Sequence, residues 1–420
     1  MLKRLKPKSE FSRNVLTLMT GTTIAQAIPI AISPILTRIY TPEDFGVFTL
    51  FLAITGIFSV IATGRYELAL MLPRKEENTI NIFALGIIII LLLTGFLFGG
   101  VFLFHSSLVD FFNNQSIGFW LYFVPIAFFF IGFFNLLTSY NNRQKKYDDI
   151  ANAVIIKSVV LAIVQLLVGF FKAGASGLIS GQIVSSLFAN LQLLKNIIKE
   201  RAFFSKVNKI KMIALAKRYS DFPKYQAPHA MLNTLSSYLP VYLFTPFFGL
   251  WIVGLYALSL RIVFTPMMIL AGASAKVYSQ QITQLYNSKG DAYGFTVQLL
   301  KKLSQKVLLP FLVIVIFAPE IFGFAFGTKW REAGVYTQIL APWLWMVFFT
   351  ATVAFIPSLL NRQKKAFVLE IIYTVLRIIG IGIGLWYESI YVALIAYSAV
   401  GFLMLNYNLW WMLTSLKKVE

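Results

Sequence analysis

The chain has 420 residues; 58% of them are hydrophobic and only 13% are charged, and its mean hydropathy is +0.73. A water-soluble protein needs more polar surface than this, so the composition excludes a soluble globular fold. Cysteine is absent, which excludes disulfides, thiolate metal sites and a cysteine nucleophile. The net charge of +20 would suit a nucleic-acid-binding protein, but its distribution along the chain indicates membrane topology instead.

Apolar runs of about 20 residues, each long enough to cross a bilayer as a helix, follow one another along the whole chain. The basic start MLKRLKPKSE precedes a run of 25 residues without a convincing cleavage site, so we interpret that run as a membrane span and not as a signal peptide. The longest gap, about 196–224, is a basic linker with an amphipathic stretch. The sequence predicts twelve transmembrane helices, numbered spans 1 to 12: 15–39, 46–64, 79–104, 119–140, 149–171, 175–195, 225–247, 250–275, 303–326, 335–360, 366–387 and 390–414.

Lysine and arginine are distributed unequally between the two sides of these spans. If the N-terminus is cytoplasmic, 30 of the 37 Lys and Arg residues fall in the arms and loops of that side, and four fall on the other. Basic residues accumulate on the cytoplasmic side of membrane proteins. We therefore expect both termini in the cytoplasm and anionic membrane lipids beside these loops. The three remaining cations, Lys157, Arg261 and Arg377, lie inside predicted spans.

The pentapeptide NRQKK occurs twice, at 142–146 and at 361–365. Six predicted spans separate the copies, so both lie on the cytoplasmic side. Two more pairs of similar segments occur at comparable offsets: GVFTLF at Gly46 with GLYALS at Gly254, and VPIA around Pro125 with LAPW around Pro342.

These repeats predict an all-α integral membrane protein built from two parallel six-helix halves. The N-terminal lobe covers 1–200, a basic cytoplasmic linker covers 201–217, and the C-terminal lobe covers 218–420. Parallel repeats imply a pseudo-two-fold axis along the membrane normal. Two such lobes would enclose a central cavity that opens to either side of the membrane in turn, which is the plan of a transporter.

Three segments carry a resemblance to a known family. ILTRIYTPEDFGVFTLF (35–51) is similar to the signature that follows the first helix of Wzx-type flippases, and GLYALSLRI (254–262) to the opening of their eighth helix. APEIFGFAFGTKWREAG (318–334) resembles the loop after their ninth helix. The chain thus resembles the O-antigen and polysaccharide repeat-unit flippases of the MATE/MOP (multidrug/oligosaccharidyl-lipid/polysaccharide) exporter superfamily.

The resemblance implies a MATE-like fold with twelve helices and no enzymatic activity. It also implies a cargo: an oligosaccharide on undecaprenyl diphosphate, moved from the cytoplasmic to the periplasmic leaflet of the bacterial inner membrane for O-antigen or lipopolysaccharide biosynthesis. The polymerase and chain-length machinery of the same pathway would be partners. H⁺ or Na⁺ would be the coupling ion if transport is coupled.

The cations inside or beside the spans are the first candidates for a substrate site. A Lys or Arg at mid-membrane costs roughly 2.5–3.5 kcal/mol, so each needs a partner or a function. The resemblance implies that spans 1, 2, 7 and 8 line the cavity. Arg261 in span 8 is the first candidate for the diphosphate, because its forked donors suit phosphate; the alternative is a structural ion pair. Arg65 and Arg38 are second candidates, or they snorkel to the interface.

Lys157 and Arg377 occupy similar positions in the two halves. They lie 11 and 12 residues beyond their respective NRQKK copies. Either they line the cavity or each anchors its own half through polar partners. Glu370 shares a helix face with Arg377 and is such a partner.

Acidic groups near the membrane bear on ion coupling and on the alternative functions. Glu67, Asp221 and Glu370, or His229, are candidates for a coupling proton or cation, although a lone histidine such as His229 more often has a packing role. A MATE-type exporter of cationic drugs is an alternative, but it would favour a buried carboxylate where this chain has mainly buried cations. HExxH, GxSxG and GxxxxGK motifs are absent, so a polysaccharide-polymerase-type enzyme is less favoured. We predict no metal, no cofactor and no nucleic-acid partner.

Overall fold

The computed structural model describes residues 10–171, 174–198 and 206–417. Over these residues the chain is helical and contains no strand. The helices are α1 Glu10–Ala31, α2 Ser33–Ile39, α3 Pro42–Ser59, α4 Tyr66–Ala69, α5 Glu76–Phe111, α6 Gly118–Leu121, α7 Val124–Arg143, α8 Tyr147–Phe170, α9 Ser176–Ile198, α10 Lys209–Arg218, α11 Ala227–Ser259, α12 Thr265–Asn287, α13 Ala292–Phe326, α14 Arg331–Thr352, α15 Ile356–Leu359, α16 Gln363–Trp386 and α17 Ile390–Lys417.

Eleven continuous helical stretches of the described chain are long and apolar enough to cross a membrane. One of them, Phe222–Asn287, has 66 residues, or roughly 99 Å at 1.5 Å per residue, about three times the thickness of a bilayer core. Gly249 interrupts it with φ 81° and ψ 170°, values outside the helical region. The interruption falls between predicted spans 7 and 8. The stretch is therefore long enough for two passages. The all-helical membrane fold is confirmed, and the eleven stretches are consistent with the predicted twelve spans.

Prolines explain where several spans deviate from regular helix. Pro34 is at the first turn of α2, so the helix of span 1 is interrupted at Ile32. Pro266 cannot donate a backbone hydrogen bond, and its ring would clash with the carbonyl four residues earlier. The chain adopts a five-residue π-helical turn, Leu260–Phe264, directly before it. A second π-helical turn, Phe222–Gln226, contains Pro223.

The chain divides into two compact units, Met1–Gly254 and Leu255–Glu420. The first unit has an apolar core in which Phe83, Phe128 and Leu136 are almost completely buried. The second has a core around Tyr278, Ile282 and Val353. The division falls at the opening of predicted span 8, later than the 201–217 linker. The two-lobe organisation read from the repeats stays a prediction.

The linker between spans 6 and 7 contains an ordered helix. Its first part, 201–205, lies outside the described residues. Helix α10 begins at Asn208, whose side-chain oxygen accepts hydrogen bonds from the backbone N–H groups of Ile210 and Lys211 at 2.9 and 3.2 Å. This is an N-cap that satisfies amides at the start of the helix. The expected amphipathic stretch is therefore a capped helix.

Candidate functional site

The C-terminal end of predicted span 2 has an unusual backbone. Gly64 and Arg65 both adopt the left-handed conformation, with φ values of 59° and 65°. Glycine tolerates this conformation. For an arginine it costs about 1–3 kcal/mol, so contacts with the surrounding structure must offset the strain. The break turns the chain from α3 into α4 and places Arg65 at the N-cap of that short helix.

Glu67 holds this turn together. Its side chain is 8% exposed, and its Oε1 lies 3.2 Å from Nη1 of Arg65. The other carboxylate oxygen accepts a hydrogen bond from the Thr63 hydroxyl. A buried carboxylate needs such partners, so Glu67 is a fixed counter-ion. The Nε of Arg65 is buried with no hydrogen-bond partner within the described part of the chain, so one donor of this guanidinium is unsatisfied there.

Tyr66, next to this pair, connects the turn to the linker helix. Its hydroxyl donates to the carbonyl of Ala216 at 2.9 Å. Burial raises the pKa of the Tyr66 phenol above its usual value, so it remains a neutral donor. The turn around Arg65 is consequently fixed from two sides.

Arg261 lies in the second compact unit, within the π-helical turn Leu260–Phe264, and its side chain is half-buried. π-Helical turns inside helices are frequent at functional sites, because they move a side chain out of the regular helical register. The turn is anchored on both sides. Ser259 donates to the carbonyl of Ala333 at 2.6 Å, and the ring of Phe264 stacks on Trp343 at 6.1 Å. Arg261 thus occupies a distorted but well-supported position.

Arg377 lies inside a polar and aromatic cluster of the second unit. Its side chain is 9% exposed, and Nη2 lies 3.5 Å from Oε1 of Glu370. Its guanidinium sits 4.2 Å from the ring centroid of Tyr373, and it also bonds Tyr397. Tyr373 in turn accepts a hydrogen bond of 2.9 Å from the indole N–H of Trp343. These contacts fix the cation within its own unit.

Lys157, the corresponding cation of the first half, has a simpler environment. Its side chain is half-buried in α8, and Nζ lies 4.9 Å from the ring centroid of Phe134. A cation–π contact of this kind is worth about 0.5–2 kcal/mol. The two positions therefore share a cation over an aromatic ring and differ in the polar network around it.

The remaining predicted residues are at the surface of the described chain. Arg38, Asp221 and His229 are exposed, and the Glu370 side chain is 56% exposed. Among the candidate acids, Glu67 and Glu370 are each paired with an arginine. Between residues 10 and 417, as far as they are described, no three His, Asp or Glu side chains come together in a way that could hold a metal ion.

The two glycines that open the repeated segments contact each other's helices, which sequence reasoning did not foresee. A Cβ added to Gly46 would lie 1.9 Å from the carbonyl oxygen of Leu250, and one added to Gly254 would lie 1.8 Å from that of Pro42. Each glycine faces the carbonyl four residues before the other. Reciprocity of this kind is what a two-fold axis between them produces. The one feature of the sequence that could have indicated this contact is that both glycines are the first residues of matching segments.

The long apolar helices indicate a multi-pass membrane protein. The fold is similar to that of the lipid II flippase MurJ in an inward closed conformation, with a TM-score of 0.75, 13% identity and coverage of 96% of this chain and 90% of that one. It is also similar to an inward-facing multidrug resistance MATE family transporter of the MOP superfamily, with a TM-score of 0.64, 13% identity and coverage of 95% and 96%.

A third structure with the same fold is a MOP superfamily transporter from Pyrococcus furiosus, described as having a binding pocket of reverse polarity. Its TM-score is 0.61 at 12% identity, covering 97% of this chain and 96% of that one. At these identities the likeness establishes the fold. A search of curated proteins finds no match.

The chain belongs to the family described as "Polysaccharide biosynthesis protein", whose profile matches residues 35–335. The match begins at the first residue of ILTRIYTPEDFGVFTLF and ends one residue after APEIFGFAFGTKWREAG. The resemblance read from these segments is confirmed, and so is the MATE-like fold that it implied.

Proposed function

We propose that this protein is a flippase for an oligosaccharide repeat unit carried on undecaprenyl diphosphate. It moves the cargo from the cytoplasmic to the periplasmic leaflet of the bacterial inner membrane by alternating access, for O-antigen or other surface polysaccharide biosynthesis. The observation that carries the proposal is the family match over residues 35–335, and the MOP-type fold supports it. Both termini are cytoplasmic in this arrangement, as the distribution of basic residues predicts.

The chemistry of the cargo requires cations. A diphosphate and a hydrated sugar cannot enter hydrocarbon unless their charge and hydroxyl groups are paired. Arg261 supplies forked donors from a distorted helical turn, and Arg65 has a buried Nε available. We assign the first diphosphate contacts to Arg65, at the cytoplasmic end, and the contact during translocation to Arg261. Arg38 is assigned to the periplasmic end of the path.

Lys157 and Arg377 are assigned to anchoring within their own halves, since each stands over an aromatic ring and Arg377 is also paired with Glu370. Among the acidic candidates for H⁺ or Na⁺ coupling, Glu67 is the best placed. Neutralising it would release Arg65 to an incoming phosphate. Asp221, Glu370 and His229 lie outside this contact.

A MATE-type drug exporter is the second candidate function, because the same fold occurs in MATE transporters. An exporter of cations would require a carboxylate that is free to attract the drug. The buried carboxylate Glu67 is paired with Arg65, which favours an anionic cargo. A polymerase-type enzyme is not proposed, since the family match and the transporter fold support translocation without chemistry. The pathway's polymerase and chain-length proteins remain proposed partners.

Three substitutions of Arg261 test the cargo-binding role. Export of surface polysaccharide, normalised to membrane-inserted protein, should fall at least tenfold in Arg261→Ala, because a charge-assisted hydrogen bond contributes about 1.5–3 kcal/mol. Arg261→Lys should keep part of the activity, since the charge survives while the fork is lost. Arg261→Glu should be the least active.

Arg331→Ala is the matched control, because Arg331 is 60% exposed and is paired with the exposed Glu320. It should export normally. Normal export by Arg261→Glu at a normal protein level would remove Arg261 from the site. Accumulation of a lipid-linked oligosaccharide in cells without the protein would identify the cargo, and cationic drug sensitivity without such accumulation would favour the exporter.

A further inference from the structure

Helix α10 of the linker is held firmly against α5. Asn81 in α5 is completely buried, its Oδ1 accepts the backbone N–H of Asn208 at 2.7 Å, and its Nδ2 donates to the carbonyl of Lys206 at 3.0 Å. Lys211 forms an ion pair with Glu77. The amide donor and the amide acceptor of this buried side chain both bond to the linker. Asn81 therefore fixes the position of α10 against α5.

Between the two helices lies a groove with apolar walls and a volume of about 470 Å³. Leu85 and Ile88 form the wall on α5, and Met212, Ile213 and Ala216 form the wall on α10. Ile88 and Ile213 are 42% and 49% exposed, so the groove is open along its length. Its size and lining suit a hydrocarbon chain.

Lysines stand at both ends of the α10 wall. Lys209 and Lys217 line the groove and are exposed. They are eight residues apart, which is about 12 Å along the helix and roughly 80° around it, and both border the groove. An apolar channel between two ammonium groups is complementary to a molecule with an anionic head and an apolar tail.

The groove lies along the first four turns of α5, on the side that the distribution of basic residues predicts to be cytoplasmic. Glu76 and Glu77 mark the polar start of α5, and Leu85 and Ile88 lie about 13 and 18 Å further along it. Beyond the groove the exposed apolar face of α5 continues through Leu92, which is 68% exposed. A chain that lies in the groove could therefore run on along α5 into the hydrocarbon core.

We propose that this groove is a specific binding site for an anionic phospholipid of the cytoplasmic leaflet. The phosphate lies between Lys209 and Lys217, and one acyl chain follows Leu85, Ile88 and Leu92. The site is separate from the cargo path and does not rest on the proposed flippase activity. It joins the linker between the two halves of the chain to the membrane surface.

Lipid retention by the purified full-length protein tests the charged part of the site. Native mass spectrometry of protein titrated with phosphatidylglycerol should show one preferred lipid, with much weaker binding of phosphatidylcholine. The double variant Lys209→Gln/Lys217→Gln should bind phosphatidylglycerol roughly 20-fold more weakly, since each surface lysine contributes about fivefold to anionic-lipid binding. The control Lys289→Gln/Lys301→Gln removes two exposed lysines outside the groove, one before α13 and one within it, and should bind normally. Equal loss in both double variants would reduce the effect to overall charge and overturn the proposal.

A second variant tests the apolar part. Ala216→Phe fills the groove and leaves both lysines in place, so it should weaken phosphatidylglycerol binding at least fivefold; unchanged binding would contradict the acyl-chain assignment.

The unmodified protein provides a test that does not depend on any variant. Phosphatidylglycerol with a photoactivatable acyl chain should label α5 near Ile88 and α10 near Ile213, and labelling elsewhere would exclude the site. Displacement of this label by undecaprenyl phosphate, but not by excess phosphatidylglycerol, would show that the groove binds the carrier lipid and would also refute the proposal.

Discussion

The two NRQKK segments have the same sequence but different contacts. In the first copy, Arg143 donates to the carbonyls of Leu70 and Pro73 and so ties its loop to the loop after α4. Lys145 takes the left-handed conformation there, with φ 57°. The pentapeptide therefore links two loops of the first unit through hydrogen bonds.

In the second copy, Arg362 donates to the Ser415 hydroxyl at 3.0 Å and Lys365 lies 4.9 Å from the ring centroid of Trp411. Both partners are on α17, near its end. The left-handed residue here is Asn361, with φ 53°. It is the first residue of the pentapeptide, three positions before Lys364, which is the counterpart of Lys145. The repeat therefore preserves a basic helix boundary and leaves each half to find its own partners.

The same contrast recurs deeper in the spans. Lys157 and Arg377 share an aromatic partner but not a polar network. Gly46 and Gly254, in contrast, make identical contacts because they face each other. Matching positions of the two halves have similar contacts where they contact each other. Their contacts differ where each position packs against its own half. Three sets of substitutions test this difference.

The largest effect is expected at the glycine crossing. Gly46→Ala and Gly254→Ala each place a methyl group less than 2 Å from a carbonyl oxygen, and a helix backbone has little freedom to move away. Each should lower the free energy of unfolding by about 3 kcal/mol. The two variants should therefore lower the midpoint of thermal unfolding in detergent to a similar extent. Gly95→Ala is the control, because no atom lies within 4 Å of its added Cβ, and it should be neutral or stabilising. Tolerance of one substitution but not the other would refute the reciprocal contact.

The next effect concerns the two cations in the spans. Arg377→Met removes the partner of Glu370, Tyr373 and Tyr397 and should destabilise by about 1–3 kcal/mol, below the full cost of breaking a buried pair because Glu370 is half exposed. Lys157→Met should stay within about 1 kcal/mol, since a lost cation–π contact is offset by removal of a poorly solvated charge. Thermal unfolding of both variants measures the difference. A greater loss in Lys157→Met would contradict the assignment of Arg377 as the more strongly anchored cation.

The smallest effects are expected in the repeated pentapeptides. Arg143→Ala loses two hydrogen bonds to carbonyls and should cost about 1–2 kcal/mol, whereas Arg362→Ala loses one and should cost about 1 kcal/mol. Hydrogen exchange should accelerate near Leu70 in the first variant and near Ser415 in the second. Lys364→Ala, at an exposed position of the second copy, should change neither. Identical exchange patterns in the two arginine variants would show that the copies are equivalent after all.

The sequence by itself determined the number of spans, their approximate bounds and the family. Span length follows from the thickness of the bilayer, and a helix that satisfies all its backbone groups internally is the natural way for an apolar run to cross it. These are local properties that any apolar run of 20 residues carries. Arg261 and Arg377 could be selected from the sequence for a similar reason. A charged residue within an apolar run is recognisable whatever the direction of its side chain.

Tertiary structure decided what those charges contact and how closely the helices approach. The segment TGRYE does not predict that the backbone of Arg65 is left-handed or that Arg65 is paired with a buried Glu67. Such a strained turn is stable only when the surrounding helices hold it in place. The approach of Gly46 to Leu250 depends on two helices more than 200 residues apart in the chain. Hydropathy is a sum over neighbours in sequence, whereas a contact depends on the directions of side chains from distant segments, and only the folded chain brings those together.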